Sequence, residues 1–209
     1  MTQVYIHGLG QTPASWGPLL ERLDAPPERV CPDLTELVSA GAAVYPALFR
    51  AFARYCDGLE GPLALCGLSL GGVLAIHYAA QRPERMGALV LMAPQYRMPK
   101  RLLQFQNGLF RLMPPAMFRE AGFTKSQFLQ LCGSMADLDL SGALSRIVCP
   151  TLILCGGRDR ANRRASAELA GLLPGAELRI VEGAGHELNR EVPDQLAPLL
   201  RDFYARTLP

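Results

Sequence analysis

The stretch LCGLSLGG at positions 65–72 places one hydroxyl, that of Ser69, in an apolar run bordered by glycines. The residues before it, PLALC at 62–66, predict a short buried strand, and the residues after Ser69 predict a helix over 70–81. This is a G-x-S-x-G pattern in a strand–turn–helix setting, where a serine is held on a strained bend with its hydroxyl exposed. The stretch therefore favours a nucleophilic serine over the alternative, a flexible turn that contains a serine by chance.

The glycines and the helix around Ser69 suit that chemistry. Gly67 and Gly71 remove side chains at the point where the strand and the helix would otherwise collide. The N-terminus of the helix directs backbone N–H groups, and the positive end of the helix dipole, toward any anion that forms near Ser69.

Short apolar runs alternate with helical patterns along most of the chain. Strands that alternate with helices form βαβ units, and right-handed crossovers place helices on both faces of the sheet. The pattern therefore predicts an α/β fold with a doubly wound, mostly parallel sheet of about six strands. The predicted strands are 2–6, 29–32, 62–66, 88–93, 151–155 and 177–181, and the predicted helices are 12–23, 44–55, 70–81, 161–173 and 192–205.

The region from about Tyr96 to Leu144 breaks this alternation. It has helical patterns without a clear buried strand, and Pro114-Pro115 divides it. We therefore predict a core formed by residues 1–95 and 146–209, with a small helical cap inserted at 96–145. The apolar residues of the predicted cap are Leu102, Leu103, Phe105, Leu109, Phe110, Leu112, Met113, Met117, Phe118, Phe123, Phe128, Leu129 and Leu131.

The composition is that of an ordinary globular chain. Of 209 residues, 49% are apolar and 19% charged, and the net charge of +2 gives no reason to expect nucleic acid or a membrane as a partner. The apolar segment 62–80 is long enough for a membrane span, but its glycines favour a buried strand, turn and helix. One basic cluster is present, and we interpret it as the solvated start of a helix; it consists of the arginines at 158, 160, 163 and 164.

The cysteines and the N-terminal residues indicate where the chain resides. The six cysteines form no CxxC pair, and Cys66, Cys149 and Cys155 lie in apolar runs as buried thiols do. The first residues, MTQVYIHG, lack the features of a signal peptide. We therefore expect a reduced, cytoplasmic chain.

A serine nucleophile needs a base, and the chain has three histidines. His77 lies eight residues beyond Ser69 on the same predicted helix, more than two turns away, and cannot reach the hydroxyl. His7 and His186 both follow predicted strands, and so both belong to the carboxyl edge of the sheet, where open α/β folds bind ligands. His186, on the glycine-flanked loop EGAGHELN, is the better candidate for the base.

An acid must then orient the imidazole, and Asp159 directly follows the predicted strand TLILC in the sequence GGRD. Ser69, Asp159 and His186 thus each come after a strand, in the chain order of the nucleophile-elbow hydrolases. Asp33 in CPDL is a rival acid, although it precedes the serine. Taken singly, Asp159 could instead cap the helix that follows it.

Four pieces of the sequence, HGLGQTPASW, CGLSLGG, PTLILCGGRD and IVEGAGHELN, resemble the α/β-hydrolase superfamily over nearly the whole chain. The resemblance implies a catalytic triad of Ser69, Asp159 and His186. It also implies an oxyanion hole formed by the backbone N–H groups of Leu9 and Leu70, with His7 supporting the first of these loops. Members usually have two antiparallel strands before the HG strand, which here begins at residue 2, so the sheet is expected to have six strands in place of eight.

The implied function is a serine hydrolase for a small, largely apolar carboxylic ester, with no metal and no organic cofactor. A thioesterase, a lactonase or a carbon–carbon bond hydrolase would use the same triad, so these reactions stay open. Epoxide and haloalkane hydrolysis fit less well, because those relatives have an aspartate where this chain has Ser69. A ligand-binding protein that keeps the hydrolase pocket is the alternative from another class, and either a monomer or a dimer is compatible with the sequence.

Overall fold

The sheet has six strands, all parallel, as the alternating pattern predicts. The computed structural model describes residues 1–23, 28–37, 44–98, 114 and 124–207. The strand order is β2-β1-β3-β4-β5-β6, which confirms the α/β fold and the predicted sheet. The strands are β1 (Thr2–Ile6), β2 (Glu28–Val30), β3 (Leu63–Leu68), β4 (Met86–Met92), β5 (Thr151–Gly156) and β6 (Glu177–Val181).

The direction in which strands are added reverses between β1 and β3. The chain first adds β2 on one side of β1, then crosses to add β3 and the later strands on the other side. At such a switch point two loops leave neighbouring strands toward opposite faces, and a crevice opens outside the carboxyl ends. The loop that starts at His7 and the turn at Ser69 both lie at this point.

The helices cover both faces of the sheet, and apart from the one predicted over 12–23 their bounds are close to the predicted ones. Short 3-10 turns also occur at Pro13–Trp16, Pro83–Arg85 and Ser141–Arg146. The α-helices are α1 (Gly17–Leu20), α2 (Leu34–Leu37), α3 (Tyr45–Asp57), α4 (Leu70–Gln81), α5 (Lys125–Ser134), α6 (Arg160–Leu172), α7 (Leu188–Glu191) and α8 (Pro193–Thr207).

The single helix predicted over 12–23 is wrong. The structure has a 3-10 turn capped by Thr12, followed by α1, which ends at Leu20. Pro13 and Pro18 lack a backbone N–H and Gly17 favours no helix, so the segment cannot sustain one continuous run of i→i−4 hydrogen bonds.

The core consists of two apolar layers, one on each face of the sheet. One layer contains α3 and α4, with Phe52 and Leu74 fully buried, and the other contains α1 and α8, with Trp16 and Phe203 buried. Helix α4 is apolar all round because almost every residue from Leu70 to Ala80 is buried. The predicted buried thiols at positions 66, 149 and 155 are confirmed, and all six cysteines are free.

Part of the predicted cap falls within the described residues. Helix α5 packs against α3, with Phe128 and Leu131 buried, and Ser134 Oγ accepts a hydrogen bond from the backbone N–H of Tyr45 at 2.8 Å. Most of the other apolar residues of the predicted cap, from Leu102 to Phe123, lie outside the described residues. The division into core and cap stays a prediction.

The apolar segment 62–80 forms β3, the turn at Ser69 and most of α4. None of the helices in the described ranges combines the length and the apolar character that a membrane crossing requires.

Candidate active site

Ser69 stands at the tip of a strained turn between β3 and α4. Its backbone has φ 53° and ψ −112°, a conformation that non-glycine residues rarely adopt. Ser69 is also partly exposed, whereas every other residue from Leu63 to Ile76 is buried. The turn therefore presents one hydroxyl out of an otherwise apolar, closed segment, as the nucleophile-elbow pattern predicts.

The glycines of the turn allow this close packing. A Cβ on Gly67 would lie 2.3 Å from the carbonyl oxygen of Gly71. A Cβ on Gly71 would lie 2.1 Å from the carbonyl oxygen of Ile6, at the end of the neighbouring strand β1. The predicted collision is thus confirmed, and it involves β1 as well as the strand that precedes the serine.

Backbone hydrogen bonds continue past the strand ends and join the serine turn to the last loop of the sheet. Ser69 N–H donates to Met92 O at 2.9 Å, and Ala93 N–H donates to Leu154 O at 2.8 Å. Further along, Gly157 N–H donates to Val181 O at 2.9 Å. The carboxyl edge is therefore one hydrogen-bonded rim from Ser69 to the loop that carries His186.

Asp159 and His186 form a direct hydrogen bond on this rim. The distance between His186 Nδ1 and Asp159 Oδ2 is 2.7 Å. The Asp159 side chain is 6% exposed and the His186 side chain 43% exposed, so the acid is covered while the imidazole reaches solvent. Burial raises the pKa of Asp159, but the hydrogen bonds from His186 and Asn162 outweigh it and bring that pKa below the usual range.

The predicted alternative role of Asp159 is also present. Asp159 is the N-cap of α6, because Oδ1 accepts the backbone N–H of Asn162 at 3.3 Å. One oxygen thus caps the helix while the other bonds to the imidazole, and the two roles do not exclude each other.

Two amide side chains that the sequence did not single out extend from this acid, the first in contact with it and the second bonded to the first. Asn162 Nδ2 lies 2.9 Å from Asp159 Oδ1 and 2.8 Å from Asp159 Oδ2. Gln95, in the loop after β4, donates from Nε2 to Asn162 Oδ1 at 2.8 Å. The position of Asn162, three residues after the cap residue Asp159, was a usable signal, since side chains there can face the cap. Gln95 comes from a distant part of the sequence and gave no such signal.

His7 is buried and both of its ring nitrogens have backbone partners. Nδ1 donates to Gly8 O at 2.9 Å, and Nε2 accepts the N–H of Leu34 at 3.1 Å. Burial lowers the pKa of His7, although the hydrogen bond to Gly8 and the charge of Asp33 act in the opposite direction. His7 therefore holds the loop after β1 in place, and the structure gives it no free nitrogen for proton transfer.

Asp33, the rival acid, and His77, the third histidine, have partners other than Asp159 and His186. Asp33 Oδ1 accepts from the N–H and the hydroxyl of Thr35 and lies 3.9 Å from His7 Nε2. His77 stacks on Phe49 with ring centroids 3.6 Å apart, and its Nδ1 lies 3.0 Å from Tyr45 Oη. His77 is a packing residue, as its distance along α4 predicts.

The two predicted oxyanion donors, Leu9 and Leu70, belong to segments next to the serine, and their role stays a prediction. Leu70 is the first residue of α4, and Leu9 follows Gly8, whose ideal Cβ position lies 3.6 Å from Ser69 Cβ. The loop that contains Leu9 is tied to α7 by a reciprocal pair of buried amides, in which Gln11 Nε2 donates to Asn189 Oδ1 at 3.2 Å and Asn189 Nδ2 donates to Gln11 Oε1 at 3.1 Å. The loop that carries Leu9 is therefore bonded to the short helix that follows the His186 loop.

No group of three or more His, Cys, Asp or Glu side chains that could hold a metal ion occurs in the described ranges of the chain. The chemistry that these residues can support is that of a serine, an imidazole and a carboxylate.

A doubly wound parallel sheet with a strained serine after β3 and a bonded Asp–His pair at the same edge defines the α/β-hydrolase class of protein. The chain belongs to the alpha/beta hydrolase family, whose sequence model matches residues 3–199.

Curated relatives and solved structures agree with that assignment. The chain is 26% identical to the Xenopus laevis protein "Monoacylglycerol lipase abhd6-B", over 95% of this chain and 73% of that protein. It is 27% identical to a pimeloyl-[acyl-carrier protein] methyl ester esterase of Neisseria meningitidis serogroup B, over 95% of this chain and 90% of that protein. The enol-lactonase of Burkholderia xenovorans LB400 shares the fold, with a TM-score of 0.83 at 19% identity, over 98% of this chain and 91% of that one. The chain spans about half of some other relatives, such as 53% of a second Xenopus laevis monoacylglycerol lipase.

Proposed function

We propose that this hydrolase cleaves a small, largely apolar carboxylic ester through an acyl-enzyme formed on Ser69. The observation that carries the proposal is the shared rim, on which a strained, partly exposed serine and the bonded Asp159–His186 pair follow parallel strands of one sheet. The names of the lipase and esterase relatives support ester hydrolysis as the reaction type.

In the first step, Ser69 Oγ attacks the ester carbonyl carbon while His186 Nε2 takes the hydroxyl proton. The carbonyl electron pair moves onto oxygen, where the N–H groups of Leu9 and Leu70 stabilise the charge. The tetrahedral intermediate then collapses, the alcohol leaves with the proton from His186, and Ser69 keeps the acyl group.

Water completes the cycle by the same route. His186 takes a proton from the water molecule, the hydroxide attacks the acyl carbon, and the acid leaves as Ser69 recovers its proton. Asp159 holds the imidazole with Nδ1–H toward itself and stabilises the imidazolium in both steps.

The tautomer at His186 favours this assignment. Because Nδ1 is directed at Asp159 Oδ2, Nε2 is the nitrogen available to accept a proton. Among the described residues, no hydrogen bond links Ser69 Oγ to His186, and we propose that this bond closes when substrate binds, as is common for catalytic pairs in ligand-free enzymes.

The predicted cap at 96–145 would supply apolar walls for the substrate. The same residues could also serve a thioester, a lactone or a carbon–carbon bond, because the triad chemistry is shared. We propose a small-molecule substrate as the partner of this protein. We also predict a cytoplasmic location.

The test is the initial rate of hydrolysis of p-nitrophenyl esters from acetate to decanoate. Wild type is compared with Ser69→Ala and with Ser141→Ala, a control at an exposed turn. We expect turnover by wild type and by Ser141→Ala, and none by Ser69→Ala in protein of unchanged melting temperature. Near wild-type rates in Ser69→Ala would overturn the mechanism.

Labelling with a fluorophosphonate separates the alternatives. Labelling of wild type but not of Ser69→Ala, without turnover of any ester, would establish an active serine and direct attention to thioesters and carbon–carbon bonds. Folded wild type that does not react would instead support a ligand-binding protein.

A further inference from the structure

Four polar side chains form a continuous hydrogen-bonded row beneath the site. Gln95 bonds to Asn162, Asn162 bonds to both oxygens of Asp159, and Asp159 bonds to His186. Asn162 Nδ2 also lies 3.1 Å from His186 Nδ1, so the amide, the carboxylate and the imidazole are in mutual contact. The triad described above accounts for only two members of this row.

The bond from Gln95 reinforces the orientation in which the Asn162 amide faces the acid. The ionised carboxylate of Asp159 can only accept, so the NH₂ group of Asn162 faces it and the Asn162 carbonyl oxygen is left to accept from Gln95 Nε2. If the amide were turned over, its carbonyl oxygen would face the carboxylate of Asp159 and that contact would be repulsive, and the bond from Gln95 Nε2 would be lost.

The side-chain contacts of Asn162 are separate from helix capping. The backbone N–H of Asn162 already satisfies the N-cap bond to Asp159 Oδ1. The side-chain NH₂ adds donors to Oδ1 and to Oδ2, and Oδ2 is the oxygen that accepts from His186. Because Nδ2 contacts both oxygens while the backbone N–H contacts Oδ1 alone, these bonds restrain the rotation of the carboxylate about the Cβ–Cγ bond and keep Oδ2 on the imidazole.

We propose that Asn162 is a positioning residue that orients the carboxylate of Asp159 toward His186, and that Gln95 holds the Asn162 amide in the orientation this requires. The inference rests on the proposed function, because it assigns a role to the triad acid. Gln95 directly precedes the predicted cap, so its bond to Asn162 also connects the start of that segment to the acid.

Other charged or titratable groups around the pair have partners of their own. Arg158 pairs with Glu191 at 3.5 Å, Arg163 Nη1 donates to Gly157 O at 3.3 Å, and Glu187 pairs with Arg190 at 3.3 Å.

In β5, burial raises the pKa of Cys155, so that thiol stays neutral. On the Gln95 side, Glu168 accepts from Arg164 and from Tyr96, and Arg97 lies near them. The exposed Arg160 lies beside Asp159 in the sequence.

The test compares Asn162→Leu with two substitutions of Gln95. Gln95→Glu is nearly isosteric but can only accept, so it opposes the carbonyl oxygen of Asn162 and competes with Asp159 for the Asn162 NH₂ group. Gln95→Met, the matched control, removes the donor without opposing the carbonyl oxygen of Asn162. The readouts are kcat and KM on the p-nitrophenyl ester that wild type cleaves fastest, and the second-order rate of fluorophosphonate labelling, which does not depend on the natural substrate.

We expect Asn162→Leu and Gln95→Glu to lower kcat and the labelling rate by at least about tenfold with little change in KM, because misplacing one catalytic group by a fraction of an ångström costs rate. Gln95→Met should lower kcat and the labelling rate less than Gln95→Glu does. Removing the Asn162 donor also leaves Asp159 a stronger acceptor for the imidazolium, so the midpoint of the acidic limb of kcat should move to higher pH. Merely structural damage would lower the amount of folded protein without moving that midpoint.

The double variant provides the decisive comparison. In Asn162→Leu, the amide that Gln95 orients is gone, so adding Gln95→Glu should cause no further loss. Losses that multiply, or wild-type kcat and pH profile in Asn162→Leu, would overturn the positioning role. Either result would leave the proposed function standing if Ser69→Ala is inactive, whereas an active Ser69→Ala would refute the proposed function itself.

Discussion

The carboxylate of Asp159 accepts a hydrogen bond from His186 Nδ1 at 2.7 Å and, on its other oxygen, one from the backbone N–H of Asn162 in the first turn of α6. The acid is thus fixed to the end of a helix and to the imidazole at once. A substitution at this position can affect the stability of the helix, the orientation of the imidazole, or both, and the choice of residue separates the two effects.

Asp159→Asn should lower kcat strongly while leaving the fold intact. Asparagine caps a helix about as well as aspartate, but its amide cannot stabilise an imidazolium. We expect a loss of at least about 100-fold in kcat, with a smaller loss of stability than in Asp159→Ala because the cap is kept. Asp159→Ala should lose both the activity and about 0.5–2 kcal/mol of stability. Equal stability of the two variants, measured in urea, would show that the cap bond contributes nothing.

Gly71→Ala should destabilise the protein, because its Cβ would lie 2.1 Å from the carbonyl oxygen of Ile6. We expect the free energy of unfolding to fall by about 1–3 kcal/mol, as for other overpacked sites. Gly171→Ala, in α6 with no atom within 4 Å of the new Cβ, is the control. It should leave stability unchanged or raise it by up to about 1 kcal/mol. Two variants of equal stability would contradict the close approach of α4 to β1.

His7 should make the protein less stable as the pH falls from about 7.5 to 5. Burial keeps the pKa of His7 below its usual value of about 6.5, so the unfolded chain binds a proton that the folded chain does not. Protonation of Nε2 would also remove the acceptor of the Leu34 N–H. The contribution of neutral His7 to stability is therefore complete above the pKa that His7 has in the unfolded chain. It is lost as the pH falls through the lower pKa that His7 has in the folded protein.

Urea unfolding of wild type and His7→Asn across this range measures the effect. The variant should show a shallower dependence on pH, while His77→Gln, at a partly exposed site, should remove less of the slope. An identical slope in wild type and His7→Asn would mean that His7 takes up its proton without disturbing the fold.

Gln11 and Asn189 should be energetically coupled, since their buried amides bond to each other in both directions. Each single change to leucine leaves a buried amide unsatisfied, at a cost of about 1–3 kcal/mol. We expect the double variant to lose less than the sum, with a coupling energy of about 0.5–3 kcal/mol. Additive losses in a double-mutant cycle of unfolding would refute the coupling. The bond from Asn189 Nδ2 to Ser15 O makes the Asn189 change the larger of the two.

The fold could be predicted from local patterns because the apolar residues of its core strands and helices recur at spacings typical of each element. The runs at 88–93 and 151–155 are buried on both faces, and Leu70–Gln81 is apolar all round. The helix predicted over 12–23 was wrong because the prediction followed the helical spacing of apolar residues and gave too little weight to the two prolines in that segment. Of the site, Ser69, Asp159 and His186 could be singled out because each follows a strand, and parallel strands end at one edge.

The sequence by itself determined the parallel α/β sheet, the glycine-bordered serine turn and the order of the three candidate catalytic residues, since all of these follow from contacts between near neighbours and from alternating periods. Only the tertiary structure decided that Asp159 rather than Asp33 bonds to His186, that His7 is held by backbone groups on both sides, and that Gln95 and Asn162 stand behind the acid. Three of these bonds, Asp159–His186, His7–Leu34 and Gln95–Asn162, join residues tens of positions apart. Side chains meet in this way only after the strands have set the loops side by side.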